Sequence, residues 1–254
     1  LGLEVVGYAK GEGSKVQKNL GEGYDKNGNI DGGLDINYNI TTGLKASVTI
    51  NTDFAETEVD ERQINLTRFP IRFPEKRDFF LEGANIYRFA PSSGVYPYFS
   101  RKIGLQSGNP IPILYGGRII GKIGKVEVAA QQVKTRETDF VNSEDFSVIR
   151  LKQNFLKESS IGVLYTRRHT NKGNEFKPPL PDRNTLGIDL TLNTSTFLKN
   201  QNLQFQAFAV IHNPNTLNEI RNNIWDRSTR GLRFNFPNDP WSGSLSYREF
   251  GVLY

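Results

Sequence analysis

Apolar and polar residues that alternate along a chain fall on opposite faces of an extended strand, whereas helical faces recur at three and four residues. This chain alternates in segment after segment. In residues 34–41, Leu34, Ile36, Tyr38 and Ile40 oppose Asp35, Asn37, Asn39 and Thr41. In residues 44–51, Leu44, Ala46, Val48 and Ile50 oppose Lys45, Ser47, Thr49 and Asn51. Leu186, Ile188, Leu190 and Leu192 oppose Gly187, Asp189, Thr191 and Asn193, and Trp241, Gly243, Leu245 and Tyr247 oppose Ser242, Ser244, Ser246 and Arg248. Looser alternation covers residues 3–9, 113–121, 126–135, 146–155, 160–168, 203–212 and 231–236. The pattern predicts an all-β chain of about eleven antiparallel strands.

The residues opposite the apolar ones are largely Ser, Thr, Asn, Gln, Gly and Asp, which suit a crowded hydrated lumen better than a face turned to bulk water. The apolar face carries Tyr8, Tyr38, Tyr115, Tyr165, Trp241 and Tyr247, and a lipid-facing surface with aromatics at its interfaces has that character. The competing architecture is a large soluble β-sandwich whose apolar faces form its core. Mean hydropathy is −0.50 and no apolar run approaches the roughly 18 residues of a spanning helix, which excludes a helical membrane protein but leaves a membrane β-barrel open.

Connections also alternate. Short ones at 42–43, 122–125, 156–159, 194–202 and 237–240 lie between long polar ones at 10–32, 54–112, 136–145, 169–183 and 213–228. An up-and-down membrane barrel does this, with tight turns on one rim and long loops on the other. Single-chain bacterial barrels have even strand numbers, so about eleven strands predict an incomplete barrel. The sequence has no Met, so Leu1 is not a translation start and the chain is expected to be a processed or truncated piece. With no Cys and only two His, neither a thiolate site nor a histidine-rich zinc site is available, and no metal or cofactor is expected. Lys and Arg total 32 against 27 acidic residues, a net +5 scattered along the chain, which does not point to nucleic acid.

Alternation stops in residues 54–108, where charges of both signs are interleaved with aromatics and prolines. A structureless loop of that length inside a compact domain is uncommon and usually functional. Its residues can satisfy one another: Glu58, Asp60, Glu75 and Glu82 are candidates to pair with Arg68, Arg72 and Arg77, while Phe69, Phe73, Phe79, Phe80 and Leu81 supply a small core. The segment is expected to fold inward as a plug or to cover a rim.

The runs Glu58-Val59-Asp60, Asn65-Leu66-Thr67-Arg68-Phe69, Phe73-Pro74-Glu75-Lys76-Arg77, Phe79-Phe80-Leu81-Glu82-Gly83 and Phe99-Ser100-Arg101-Lys102-Ile103-Gly104 are the most distinctive in the chain. They resemble a family of uncharacterised outer-membrane β-barrel proteins whose barrel commonly follows an N-terminal carbohydrate-binding family 9-like domain. Gly116-Gly117-Arg118-Ile119-Ile120-Gly121-Lys122-Ile123-Gly124 is similar to that family's next strand and turn. The resemblance implies location and architecture, an early part of a longer barrel without the N-terminal domain; it implies no activity.

Carboxylates are the only plausible catalytic equipment. Glu56, Glu58 and Asp60 stand close enough in sequence to supply a glycosidase pair, and a soluble or surface-attached β-sandwich that binds or hydrolyses carbohydrate through them is the alternative function. Neighbouring Arg and Lys would depress their pKa values and work against a general acid. His169 and His212 read as solvated rim residues, and the glycines between Gly11 and Gly33 as turn residues. Tyr87, Tyr96, Tyr98 and Trp225 present ring faces that suit a sugar. The sequence thus leads to residues 1–254 as a partial, antiparallel transmembrane β-barrel of a Gram-negative outer membrane, with 54–108 as a plug-like or rim insertion. It is expected to act non-enzymatically as a pore, surface receptor or assembly partner for glycan or another polymer, in contact with outer-membrane lipid and other outer-membrane proteins.

Overall fold

The computed structural model describes residues 2–19, 22–52, 74–106, 109–139, 141–171, 173, 179–213 and 223–253. In chain order the strands are β1 (Leu3–Asn19), β2 (Glu22–Thr41), β3 (Leu44–Ile50), β4 (Leu105–Gln106), β5 (Asn109–Pro110), β6 (Ile113–Ile123), β7 (Val126–Thr135), β8 (Glu144–Phe155), β9 (Ser159–Thr170), β10 (Arg183–Phe197), β11 (Gln201–His212), β12 (Ser228–Pro237) and β13 (Ser242–Phe250). Helix among the described residues is confined to α1 (Asp78–Leu81) and two short 3-10 turns, Ser100–Lys102 and Ile224–Arg227. None of it is long and apolar enough to cross a membrane.

Eleven strands form one antiparallel sheet in the order β1-β2-β3-β6-β7-β8-β9-β10-β11-β12-β13, and β4 pairs only with β5. Each strand of the large sheet neighbours the next in sequence, the up-and-down order that the alternation predicts. The sheet is open, with β1 and β13 as its edges, so it does not close into a barrel on its own.

Residues 10–32 differ from expectation. They are not a loop: Lys10↔Asp31, Gly11↔Ile30 and the pairs beyond them continue the β1–β2 ladder as far as Asn19↔Glu22. Gly11, Gly13, Gly28 and Gly32 lie in paired strands, not in turns. A ladder is made of backbone N–H and C=O groups, so it can run through residues whose side chains show no alternation.

The two faces of the sheet have different fates. On one, Val48, Ile50, Ile149, Leu151, Ile161, Val163, Leu186, Ile188, Leu232 and Phe234 are exposed. On the other, Ser47, Thr49, Gln131, Arg150, Asp189 and Thr229 are buried, and residues 74–106 lie over Gln131, Arg150 and Asp189. The covered face is not uniformly polar, however. Ile120, Val133, Val148, Leu164 and Val210 also point that way and pack with Phe80, Tyr87, Phe89, Val95 and Ile103 of the covering segment. This explains the looser alternation of β6 to β9 and β11: both of their faces are apolar in places, because the inner one meets a segment that brings its own apolar side chains.

The sheet also curves around that segment. Lys45 on β3 reaches Glu82, and Arg248 on β13 donates to the Ser93 carbonyl. Eight strand-to-strand steps separate β3 from β13, about 38 Å if the sheet were flat at ~4.8 Å per step. Residues 82–93 cannot extend across such a gap, because turns closed by Ile86 N–H to Gly83 O and Ser93 N–H to Ala90 O shorten them.

Close approach of the segment depends on a missing side chain at Gly187 of β10. A Cβ there would lie 2.7 Å from the Phe89 ring. Gly187→Val should therefore overpack this contact and lower stability by about 1–3 kcal/mol, read as a lower denaturant midpoint; an unchanged midpoint would show that the ring does not sit there.

Candidate functional site

Among the described residues, the covered face carries one fully buried ion pair. Arg150 on β8 is 0% exposed and donates from Nη1 to Asp189 Oδ1 at 2.5 Å and from Nη2 to Asp189 Oδ2 at 3.0 Å. The two residues sit on strands that are not neighbours, for β9 runs between β8 and β10. Gly162 of β9, opposite Asp189 in the register, makes the crossing possible: a Cβ on Gly162 would lie 2.6 Å from Arg150 Nη1. The same pair holds the covering segment. Arg150 Nη2 also donates to the Arg88 carbonyl at 3.1 Å, and the Ala90 N–H donates to Asp189 Oδ2 at 3.2 Å. Two opposite charges so enclosed are stable only when their remaining hydrogen-bonding capacity is met, and here backbone groups of the segment meet part of it.

A second ion pair ties the segment to itself. Arg77 donates from Nε and Nη2 to the two carboxylate oxygens of Glu75, each at 2.7 Å, and both side chains are nearly buried. Arg77 further donates to the Ser100 and Ile103 carbonyls at 2.7 and 2.6 Å, and the Ser100 hydroxyl donates to Glu75 at 2.7 Å. The Arg77 guanidinium lies 4.1 Å from the centre of the Phe80 ring. Residues 74–80 are thereby fastened to residues 100–103. Burial alone would raise the Glu75 carboxyl, but the bonds and charge of Arg77, with Ser100, outweigh it and hold that carboxyl below its ordinary value of 4.5.

A third set anchors the segment to the sheet. Glu82 accepts from Lys45 Nζ at 2.8 Å and pairs with Arg118 of β6, which also donates to the Phe79 carbonyl. Of the pairing residues foreseen in the sequence, Glu75, Arg77 and Glu82 are thus found in ion pairs, while Glu58, Asp60, Arg68 and Arg72 lie outside the described residues, as does Glu56. Arg118, Arg150 and Asp189 were not singled out by sequence reasoning. The visible signal for them was an Arg or Asp in the midst of an alternating strand, on the face opposite the exposed one.

The four aromatic candidates separate into two kinds. Tyr87 and Tyr98 lie 5.1 Å apart within the packed clusters, where Tyr98 receives a bond from Gln131. Burial raises both phenols above their ordinary value. Tyr96 and Trp225 are exposed, and the Arg230 guanidinium lies 4.3 Å from the Trp225 ring. The histidines also depart from expectation in part. His212 is buried, because it points to the covered side of β11, and His169 is held by Asp182 at 2.7 Å instead of being simply solvated. Among the described residues, no group of His, Asp and Glu is arranged to hold a metal ion.

Part of the stretch that fastens the segment to the sheet is similar to a family model. Residues 3–114 match a family model described as Domain of unknown function (DUF5916). The DUF5916 match takes in β1, β2, β3 and the covering segment, so it includes Glu75, Arg77 and Glu82 but stops short of Arg118, Arg150 and Asp189. It spans fewer than half of the 254 residues. No curated protein and no solved structure matches the chain.

Removing one partner of the central pair leaves the other charge buried and uncompensated. Asp189→Ala should destabilise the protein by about 3–5 kcal/mol and release the segment, read as new tryptic cleavage at Arg88 or Lys102; unaltered protection would refute the clamp. Acid should act on the second pair. Because the folded Glu75 carboxyl titrates below its ordinary value, its contribution is present above 4.5 and is lost as pH falls beneath it. Proteolytic protection of residues 74–106 should fall in that range, and Glu75→Gln should lessen the pH response; an identical acid profile in the variant would remove Glu75 from this role.

Proposed function

We propose that this chain is part of an outer-membrane β-barrel of a Gram-negative bacterium, that its exposed apolar side faces lipid, and that residues 74–106 stand in the lumen as a plug. On this reading the protein acts without catalysis, as an occluded pore, a surface receptor or an assembly partner that handles glycan or another polymer.

One observation carries the reading: the sheet has an apolar core on its covered face and yet leaves a second apolar face exposed. Its fully buried side chains include Arg150 and Thr229 beside Leu164, Val133 and Val210, while isoleucines, leucines and valines on the opposite face of successive strands stand exposed. Soluble monomers seldom expose contiguous apolar patches beyond a few hundred Å². Four strands, β6, β7, β12 and β13, have 9–11 residues, the roughly 9–11 of a tilted spanning strand; β8, β9 and β11 have 12, β1, β2 and β10 are longer and β3 is shorter. Exposed aromatics at or near strand ends, Tyr115, Phe197, Trp241 and Phe250, have the placement of an interfacial girdle. Tyr96 and Trp225 are the exposed ring faces left for a glycan.

The purified protein should be monodisperse only in detergent or lipid and should associate when detergent is withdrawn; a monodisperse species in plain buffer would refute the lipid-facing assignment. In planar bilayers Asp189→Ala should raise conductance over the unaltered protein, because the plug loses its clamp. Equal conductance would separate the barrel from the plug and reject the latter.

A further inference from the structure

A cavity of about 540 Å³ lies between the covering segment and the tight-turn end of the covered face. Its volume is that of a small-molecule site, for which about 300–1,000 Å³ is usual. From the segment come Asn85, Arg88 and Pro91, and from the sheet come residues at the ends of β6, β8, β9 and β10 near their short turns.

Its charges do not balance. Arg150 is neutralised by Asp189, and Lys152 by Glu127 at 2.8 Å. Three further cations line the cavity: Lys122 faces the same Glu127 across the β6–β7 ladder, so that one carboxylate is shared between two lysines, and Arg88 and Lys157 form no ion pair with a carboxylate among the described residues. Glu158 is the one remaining lining carboxylate, and it accepts from Ser195 Oγ at 3.0 Å. Three cations less one carboxylate leave an excess of two positive charges. Between them stand uncharged groups able to donate and accept: the amides of Asn85 and Asn193 and the hydroxyls of Ser160 and Thr191.

We infer that this cavity binds a soluble sugar phosphate or a close polyhydroxylated phosphate monoester. A phosphate monoester carries about −1.5 to −2 at neutral pH, which matches the excess, and compact lysine charges serve phosphate well. The surrounding amides and hydroxyls suit a polyol, and the volume is too large for inorganic phosphate alone. A lipid headgroup is the less fitting source of the same chemistry, because the cavity opens on the covered side of the sheet, away from the exposed apolar face. The assignment stands on the cavity and its charges, and it does not require the membrane reading above.

The test is calorimetric titration of the full chain in detergent with glucose 6-phosphate, glucose and inorganic phosphate, at low ionic strength. Glucose 6-phosphate should bind more tightly than either of the others. The paired substitution Lys122→Gln and Lys157→Gln, at exposed residues outside the buried ion pairs, should weaken it by about tenfold with unchanged circular dichroism. Absence of glucose 6-phosphate binding, equal binding of glucose, or undiminished binding by a folded double variant would overturn the proposal. Inorganic phosphate binding as tightly as glucose 6-phosphate would overturn the sugar component and with it the assigned ligand class.

Discussion

The ion pair between Arg150 and Asp189 is the contact on which the interior of this protein depends. It joins β8 to β10 over the backbone of β9, and its leftover hydrogen-bonding capacity is taken up by the Arg88 carbonyl and the Ala90 amide. A buried pair of this kind is not a generous source of net stability, since desolvation offsets most of the attraction. What it provides is uniqueness of position. The segment can shift along the sheet only by giving up its backbone bonds to a buried guanidinium and carboxylate, so one docking position is favoured over its neighbours.

Around that pair the packing follows from the absence of side chains as much as from their presence. Gly162 lets the arginine lie flat across its strand, and Gly187 leaves the gap that Phe89 enters. The apolar inner residues on either side, Ile120, Val148, Leu164 and Val210, close around the segment. Charge fixes the position and apolar contact supplies the bulk of the burial, a division expected when hydrophobic attraction is non-directional and hydrogen bonds are not.

The outer face has no such cover. Its isoleucines, leucines and valines on consecutive strands give the sheet two apolar surfaces of different kinds, one satisfied within the chain and one left exposed. The proposed lipid-facing role accounts for this asymmetry with a single environment, and the proposed anion site uses the opposite, enclosed side. The two readings are physically compatible because the sheet itself would separate the proposed lipid side from the covered side, where the cavity and its excess of positive charge lie.

Strict alternation of the kind seen in Leu186 to Asn193 determined the fold class and the positions of most strands, because a strand's side-chain period is fixed by its own backbone, and the short connections between those strands pointed to the up-and-down order. It could not locate the β1–β2 extension, where backbone bonds alone carry the pairing, nor foresee that His212 is buried. Within the segment, the mixture of Arg, Glu and Phe announced internal ion pairing, and Glu75 with Arg77 stand two residues apart. Which partners meet across the sheet was decided by tertiary structure. Arg150 and Asp189 are separated by 39 residues and an intervening strand, and only register, curvature and a glycine between them bring the charges together. Sequence periodicity is a local property of one strand, whereas the pairing of charges depends on the relative placement of three.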